Sequence, residues 1–531
     1  MKEIKPPKKK TTLTDKIDNL IGVFSPQKAF RRKMYRMANK LVLGKSYRGA
    51  EKNRLRQDWL PGGNSPDEDI LSELPDLRER SRDLNRNDGV AAGITSTMVT
   101  NVVGTGIKPQ SRIDKENLGI DDAAAIQFQK RAERCWEKWT PFADSAERMD
   151  FYEIQQLVDR QILENGEVII LPLMLKDKYR PYSLALEVIE SDRLVTPSDK
   201  RSEKSIRSGV KIGARGQPVS YFIQKTHPGD STLKLRTPNS DKCIEIPARN
   251  EYGRSNVIHL YWIQRPGQTR GVPFFAPILT YFKDLADYLE AELVAARIAA
   301  CFSLFIESED AANMALNRST ETTSANTRIE DLEPGMVEYL NPGEKISSFS
   351  PERPGASFEP FVDKMLRMIG AALGLPYELV SKDFSKTNYS SARAALLEAR
   401  RYFRVRQEWI SRKLCQPVWD MVIEEAYLRK ELDAPNFYTQ KQDWCRTRWI
   451  TPGWAWIDPL KEVKAAQEAV DNNLSSLADE AAAQGKDWEE IMEQNAREDQ
   501  KRKELGLQKP QKNNDSKLDQ KLDERKELDN E

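Results

Sequence analysis

Hydrophobic positions along this chain follow two rhythms, a helical one toward both ends and a strand-like one between them. Leu74–Gly104 predicts two helices, the first rich in arginine (Arg78, Arg80, Arg82, Arg86) and leading into the apolar stretch Ala91–Val103. Ala123–Phe142, closed by Trp136 and Trp139, and Phe151–Asn165 predict two more. The texture then changes. Glu167–Leu175, Ser183–Ile189, Val219–Gln224, Ile244–Pro247 and Asn256–Trp262 are short β-rich runs separated by Gly, Pro, Asn and Asp, with Gly213–Gln217 as a turn, and residues 166–264 read as one β-domain.

From Pro277 the period is helical again. Ile278, Phe282, Leu285, Leu289 and Leu293 recur at three- and four-residue spacings, and the pattern runs to Phe302. About 28 residues at 1.5 Å each make a rod of about 42 Å, longer than a small core needs. Residues 307–353 are polar and turn-rich, as expected of a small α/β module inserted between rods. A second rod, Phe358–Leu373, is stopped by Gly374 and Pro376. A polar loop, Tyr377–Tyr389, follows; Ser390 is the expected cap of a long helix through Lys430, with a kink near Gln416 imposed by Pro417. Past a tryptophan-rich segment the chain is helical from about 460, then almost wholly polar, and its last two dozen residues read as disordered.

The chain's 531 residues carry 83 Lys+Arg against 82 Asp+Glu, so a histone-like basic wrapper is excluded. The charge is uneven. Residues 1–60 hold 17 basic against 5 acidic side chains, and residues 461–531 hold 13 against 19, which leaves the middle mildly acidic. Residues 1–12 read as disordered, and within Ala29–Val42 the cations Arg31, Arg32, Lys33, Arg36 and Lys40 surround Phe30, Met34, Tyr35, Met37 and Leu41. That segment reads either as a solvated basic helix packing one apolar face or as a nucleic-acid-binding arm. Cys135, Cys243, Cys301, Cys415 and Cys445 are scattered without a C-x-x-C pair, as expected of reduced, packed thiols. The first residues lack the apolar run of a secretory signal and no stretch suits a membrane span, which points to a reducing, aqueous compartment.

Enzyme chemistry is sparse. Gly44-Lys45-Ser46 has Asn39 where a phosphate-cradling loop needs glycine, and Gly104-Thr-Gly106 lacks the third glycine of a dinucleotide fingerprint. With only His227, in a turn, and His259, inside a strand, an H-E-x-x-H metal site cannot form. Neither a cofactor nor a metal is expected. Trp419, Trp444, Trp449, Trp454 and Trp456 read as a local core or as a stacking platform for bases.

The turn-rich junctions carry a resemblance. Asn101-Val-Val-Gly-Thr-Gly106, Arg265-Pro-Gly-Gln-Thr-Arg-Gly-Val-Pro273, Leu332-Glu-Pro-Gly335, Asn341-Pro-Gly-Glu344, Gly374-Leu-Pro-Tyr-Glu378, Asp383-Phe-Ser385 and Asn388-Tyr-Ser-Ser-Ala-Arg-Ala-Ala-Leu396 occur in one order over roughly residues 80–460. Together they resemble the lambda-type portal proteins of tailed double-stranded DNA phages. The resemblance implies an α+β, mainly helical chain with wing, stem, clip and crown regions that assembles into a closed ring, probably of twelve subunits. On that map residues 1–60 are a basic arm, 61–272 wing, 273–303 and 357–374 stem helices, 304–356 clip, 375–390 a tunnel loop, 391–454 a long kinked helix returning to the wing, and 455–531 crown and polar tail.

It also implies partners and a place: double-stranded DNA in the channel, the terminase or packaging ATPase, major capsid and scaffolding proteins, head-completion or tail adaptor proteins, no membrane, and a unique capsid vertex assembled in the host cytoplasm. The residues expected to meet DNA are Lys382, Asp383, Phe384, Ser385, Lys386, Thr387 and Asn388 of the tunnel loop. A mildly acidic wall suits passage, since every phosphate neutralised by Lys or Arg adds affinity that sliding must break. Two rival readings stand beside it, a structural head or tail connector other than the portal and a carboxylate/metal nuclease or other DNA-processing ring.

Overall fold

The structure, a computed structural model, describes residues 25–28, 30–32, 34–35, 62–230, 242–301, 305–308, 344–347, 358–455 and 457–507. Two units divide the chain, 1–64 and 65–531. In the first, the described residues from 26 to 35 are helical, and Phe30, Met34 and Tyr35 are exposed. Gly44 to Ser46, Asn39 and Trp456 fall outside the described residues.

The larger unit is mainly helical, with four small sheets among the described residues. Helices α1 (Leu74–Asn87), α2 (Gly89–Val102), α3 (Asp122–Trp139) and α4 (Phe151–Asn165) precede the strands. Local chemistry sets their limits. Asp150 and Glu153 form a reciprocal capping box at the start of α4, and Gly166, at φ +83°, ends it in the left-handed conformation. The turn after α2, Gly104 to Gly106, is held by Gln155, whose side chain bonds both the N–H and the C=O of Ile107. A Cβ on Gly106 would sit 2.3 Å from the Tyr152 ring, so the glycine is required for contact as well as for turning.

The single β-domain expected over 166–264 is two sheets. Strands β2 (Glu167–Met174), β3 (Leu184–Ile189) and β8 (Ile258–Tyr261) form one, in the order β3-β2-β8. Strands β4 (Ile206–Arg207), β5 (Val210–Ile212), β6 (Pro218–Gln224) and β7 (Cys243–Pro247) form the other in sequence order. The two-residue period of β2 explains the layering. Val168 and Ile170 join the large core beneath the helices, whereas Ile169 and Leu171 join a second cluster with Ile189 of β3 and with Val210, Tyr221 and Ile223 of the other sheet. Strands β4 and β5 are too short for alternation to register in the sequence. Likewise β1 (Lys108–Ser111) pairs antiparallel with β11 (Thr447–Ile450), a ladder that neither segment's pattern announces.

One carboxylate organises the junction of sheet, helices and the following rod. Glu167, fully buried at the start of β2, accepts bonds from Arg78 of α1 (2.6 Å), from Arg270 Nε (2.6 Å) and from the Gly271 N–H (2.7 Å), and lies 3.0 Å from His259 Nε2 on β8. Burial alone would raise its titration; Arg270, Arg78 and His259 hold it well below the usual carboxylate range. Burial pulls Arg78 down to about 10. Arg270 also donates to the carbonyls of Leu194, Ser208 and Ser191. His259 is therefore an interior imidazole, as its place in a strand suggests.

Rod α5 (Leu279–Cys301) and rod α6 (Phe358–Leu373) lie side by side, with the Tyr288 ring 4.8 Å from Phe361 and 5.9 Å from Phe358. Between them β9 (Phe305–Ser308) pairs antiparallel with β10 (Glu344–Ser347), and the rest of the 304–356 module is outside the described residues. After the loop that follows α6, helix α8 runs from Tyr389 to Ile410, a π-helical turn occupies Ser411–Cys415, and α9 spans Gln416–Leu428. The expected kink thus takes a specific form. The Gln416 N–H bonds Ser411 five residues back, widening the helix one turn before Pro417, which sits in the first turn of α9 where its missing N–H costs least. The helix ends at Leu428, two residues before the Lys430 expected from the pattern, and turns and β11 make up the rest of the 391–454 segment.

Trp419 and Trp444 are buried, and Trp136 meets Trp139, Trp419 and Trp449 within 5.0 to 6.1 Å, so the described tryptophans are core rather than a stacking platform. Cys135, Cys415 and Cys445 are buried thiols and Cys243 is half-buried. The C-terminal helices α10 (Pro459–Asp471), α11 (Leu477–Ala483) and α12 (Trp488–Glu504) attach through ion pairs such as Lys130 with Glu493 (2.5 Å), and through Gly453, whose Cβ would strike Gln484 backbone at 2.2 Å. Among the described residues no helix is long and apolar enough to cross a membrane.

Two outcomes follow from these buried groups. Glu167→Gln leaves Arg78 and Arg270 without their counter-charge and should lower stability by about 3 to 5 kcal/mol in urea unfolding. Glu133, which accepts the Ser111 N–H at 2.8 Å, is pushed up to about 7 by burial, with Asp487 and Glu489 adding to the rise. Folding therefore favours its protonated form, and that contribution is complete below about pH 4.5 and lost as pH climbs to about 7, a loss of about 3 kcal/mol. Glu133→Gln should flatten the pH dependence of unfolding across this interval; an unchanged slope would remove Glu133 as its source.

Candidate functional site

The segment between α6 and α8 carries every side chain expected to meet a ligand. Its first five residues are not loop: Tyr377–Ser381 form a short helix, α7, and the loop proper is Lys382 to Asn388. Lys382 itself adopts φ +60° and stops that helix. The cap of α8 is Asn388 rather than Ser390; its side chain accepts the Ser391 N–H at 2.8 Å, so the helix begins two residues earlier than the serine suggests.

Most of the loop's polar groups build the loop. The Asp383 carboxylate accepts the Ser385 N–H at 2.8 Å, and its bonds with Ser385 hold it below the usual range. Thr387 Oγ1 donates to the Phe384 carbonyl at 3.0 Å, while the Phe384 ring is 44% exposed. These contacts make a tight, self-supported turn with an apolar tip.

The two cations are each engaged within the protomer. Lys382 Nζ reaches Thr97 Oγ1 on α2, and partial burial lowers its titration. Lys386 Nζ contacts Glu359 and, at 3.2 Å, Asp363, both on α6, and those bonds raise it. Asp363 in turn accepts the Tyr377 hydroxyl at 2.7 Å, the largest cause of its lowered titration, and the Arg367 guanidinium lies 4.5 Å from the Tyr377 ring centre. A patch of α6 therefore clamps both ends of the segment. Sequence reasoning identified the lysines but not Glu359, Asp363 or Tyr377, because partners 14 to 27 residues away leave no local pattern.

Among the described residues one other group could hold a cation, formed by Glu190, Asp192 and His227. His227 Nε2 is 3.5 Å from Glu190 and 3.9 Å from Asp192. The Gly229 N–H donates to His227 Nδ1 at 3.0 Å, which puts the proton of the neutral ring on Nε2, and Arg82 already bonds Asp192. The arrangement is an ion cluster rather than a metal cage.

Comparison with known proteins defines the class. The chain is 26% identical over 483 residues to the portal protein of Escherichia phage N15, covering 85% of this chain and 89% of that one. It is 25% identical over 484 residues to portal protein B of Escherichia phage lambda, covering 86% and 89%. A solved neck of a native gene transfer agent particle, computed with C12 symmetry, is 14% identical with a TM-score of 0.38, covering 76% of this chain and 93% of that one. An HK97 family phage portal protein from Corynebacterium diphtheriae is 11% identical with a TM-score of 0.27, covering 58% and 80%. These are phage portal proteins and necks of phage-like particles. The family described as phage portal protein, lambda family, matches residues 52–407, well over half of the sequence, and the chain belongs to that family. The family is structural rather than catalytic.

Proposed function

We propose that twelve copies of this chain close into a ring at one capsid vertex, through which double-stranded DNA is packaged and later ejected. The observation that carries the reading is the paired rod α5–α6, anchored in the body at one end, joined by the β9–β10 pair at the other, and continued by a short cation-bearing loop. In this reading 61–272 is wing, the rods are stem, 304–356 is clip, and the C-terminal helices from 455 are crown.

Lys382 to Asn388 form the tunnel loop, facing DNA with Phe384 at the tip and with Lys382 and Lys386 as exchangeable phosphate contacts. Because Lys386 already has Glu359 and Asp363 as partners, phosphate must compete with two carboxylates, which keeps each contact weak and reversible. The terminase docks on the clip and supplies the energy, as no phosphate-cradling loop is encoded around Lys45. Capsid, scaffolding and head-completion or tail adaptor proteins contact the remaining outer surfaces, and the assembled ring resides in the virion after assembly in the host cytoplasm.

Electron microscopy of the purified protein should give closed rings with a central channel; only monomer at micromolar concentration across several salt conditions would overturn the ring. Replacing Lys382 and Lys386 together by Ala should leave rings intact but reduce packaging or retention of DNA, with a loss that varies with salt. Normal DNA-filled particles throughout that range would make the two lysines dispensable.

A further inference from the structure

The rod pair presents two different outward flanks, and their chemistry is complementary. On α5, Phe282 and Leu285 are buried toward the core while Asp284, Asp287 and Glu290, three residues apart in turn, face water together with Leu293 (52% exposed) and Val294 (44%). On α6, Leu366, Ile369 and Leu373 are buried while Lys364, Arg367, Phe361 (45%) and Met368 (40%) face water. One flank is thus acidic with apolar residues, the other basic with apolar residues. Lys283, paired with Asp287 at 2.6 Å, reduces the acidic excess without cancelling it. Exposed apolar side chains grouped along long rods are a poor match to water and a good one to another protein surface.

Register supports a second copy as the occupant. Tyr288 meets the first turn of α6, and the turn just before α5, Ala276–Ile278, also touches α6, so the rods run antiparallel. Asp284 lies four residues, about 6 Å, before Tyr288, and Lys364 lies three residues, about 4.5 Å, beyond Phe361, which puts them at nearly the same height. A closed ring repeats by rotation without translation, so side chains level within a protomer remain level between neighbours when the rods stand along the axis. Resting on the ring reading above, we infer that the α5 flank of one protomer packs against the α6 flank of the next, with Asp284 and Asp287 opposite the neighbour's Lys364 and Arg367 and with Phe361 and Met368 covered by the contact. The interface is heterologous, as ring closure requires, and like-to-like pairing of flanks is disfavoured by charge.

The test uses two charge-reversed full-length chains. One carries Asp284→Lys, Asp287→Lys and Glu290→Lys, so both flanks are basic; the other carries Lys364→Glu and Arg367→Glu, so both are acidic. Each alone should need at least a tenfold higher concentration for half-assembly, read by native mass spectrometry and electron microscopy, while thermal unfolding confirms that each is folded. Mixed one to one they should form rings of alternating chains with even subunit numbers, and a chain bearing all five substitutions should close rings by itself. If the separate variants assemble as wild type does, or if the folded variants remain monomeric on mixing, the flanks are not the contact. Absence of rings from wild type under the same conditions would instead count against the ring reading.

Discussion

A single buried negative charge fixes how this protomer is put together. Glu167 draws guanidinium groups from α1 and from the strand-to-rod connection, plus an imidazole from β8, onto two oxygen atoms. Such a cluster is tolerable only when every lone pair is used, since an unpaired buried ion costs several kcal/mol. The backbone makes room for it: a Cβ on Gly271 would stand 2.1 Å from the Gly166 carbonyl, and one on Gly166 would stand 2.3 Å from Val272 backbone. The charge cluster and the glycine crossing are one device. Together they set the direction in which the chain leaves the sheet for α5.

That device also explains the motif Arg265 to Pro273, which in the sequence is a run of turn residues without obvious chemistry. Arg270 supplies the charge, Gly271 the close approach, and the Gln268 side chain bonds the Arg270 carbonyl at 2.7 Å and the Gln264 N–H at 2.9 Å. The helices Leu74–Asn87, Gly89–Val102 and Phe151–Asn165 were legible because caps and a 3.6-residue period act locally. Strands β4, β5, β1 and β11 were not, because two to four residues contain too few alternations and their partners are distant or unpatterned. At the loop, the residue types were legible and their engagement was not. Nothing near Lys386 announces that Glu359 lies beside it, and Asn388 outcompetes Ser390 as cap because its side chain already reaches the Ser391 N–H from one turn upstream.

The clamp ties the loop to the rod through shared groups. Asp363 serves Tyr377 and Lys386 at once, so a shift of α6 by even a fraction of a turn changes both ends of the loop segment. Arg367 extends the linkage, since it lies over the Tyr377 ring on one side and near the outward flank on the other. The rod and the loop are therefore mechanically coupled through one carboxylate and one aromatic ring. The π-helical turn at Ser411–Cys415 places an adjustable joint in the same long helix that leaves the loop.

The ladder between Lys108–Ser111 and Thr447–Ile450 has a consequence in time rather than in space. Its two strands are separated by roughly 340 residues, so during synthesis at roughly 5 to 20 residues per second the first must wait roughly 17 to 70 seconds for its mate. Through that interval the large core, which takes Trp136 from one side and Trp419 and Trp444 from the other, stays open. Only a chain translated past Ile450 can close it. Fragments that end before Thr447 lack the second strand of this ladder, and those that end before Trp419 also lack the tryptophans that complete the core.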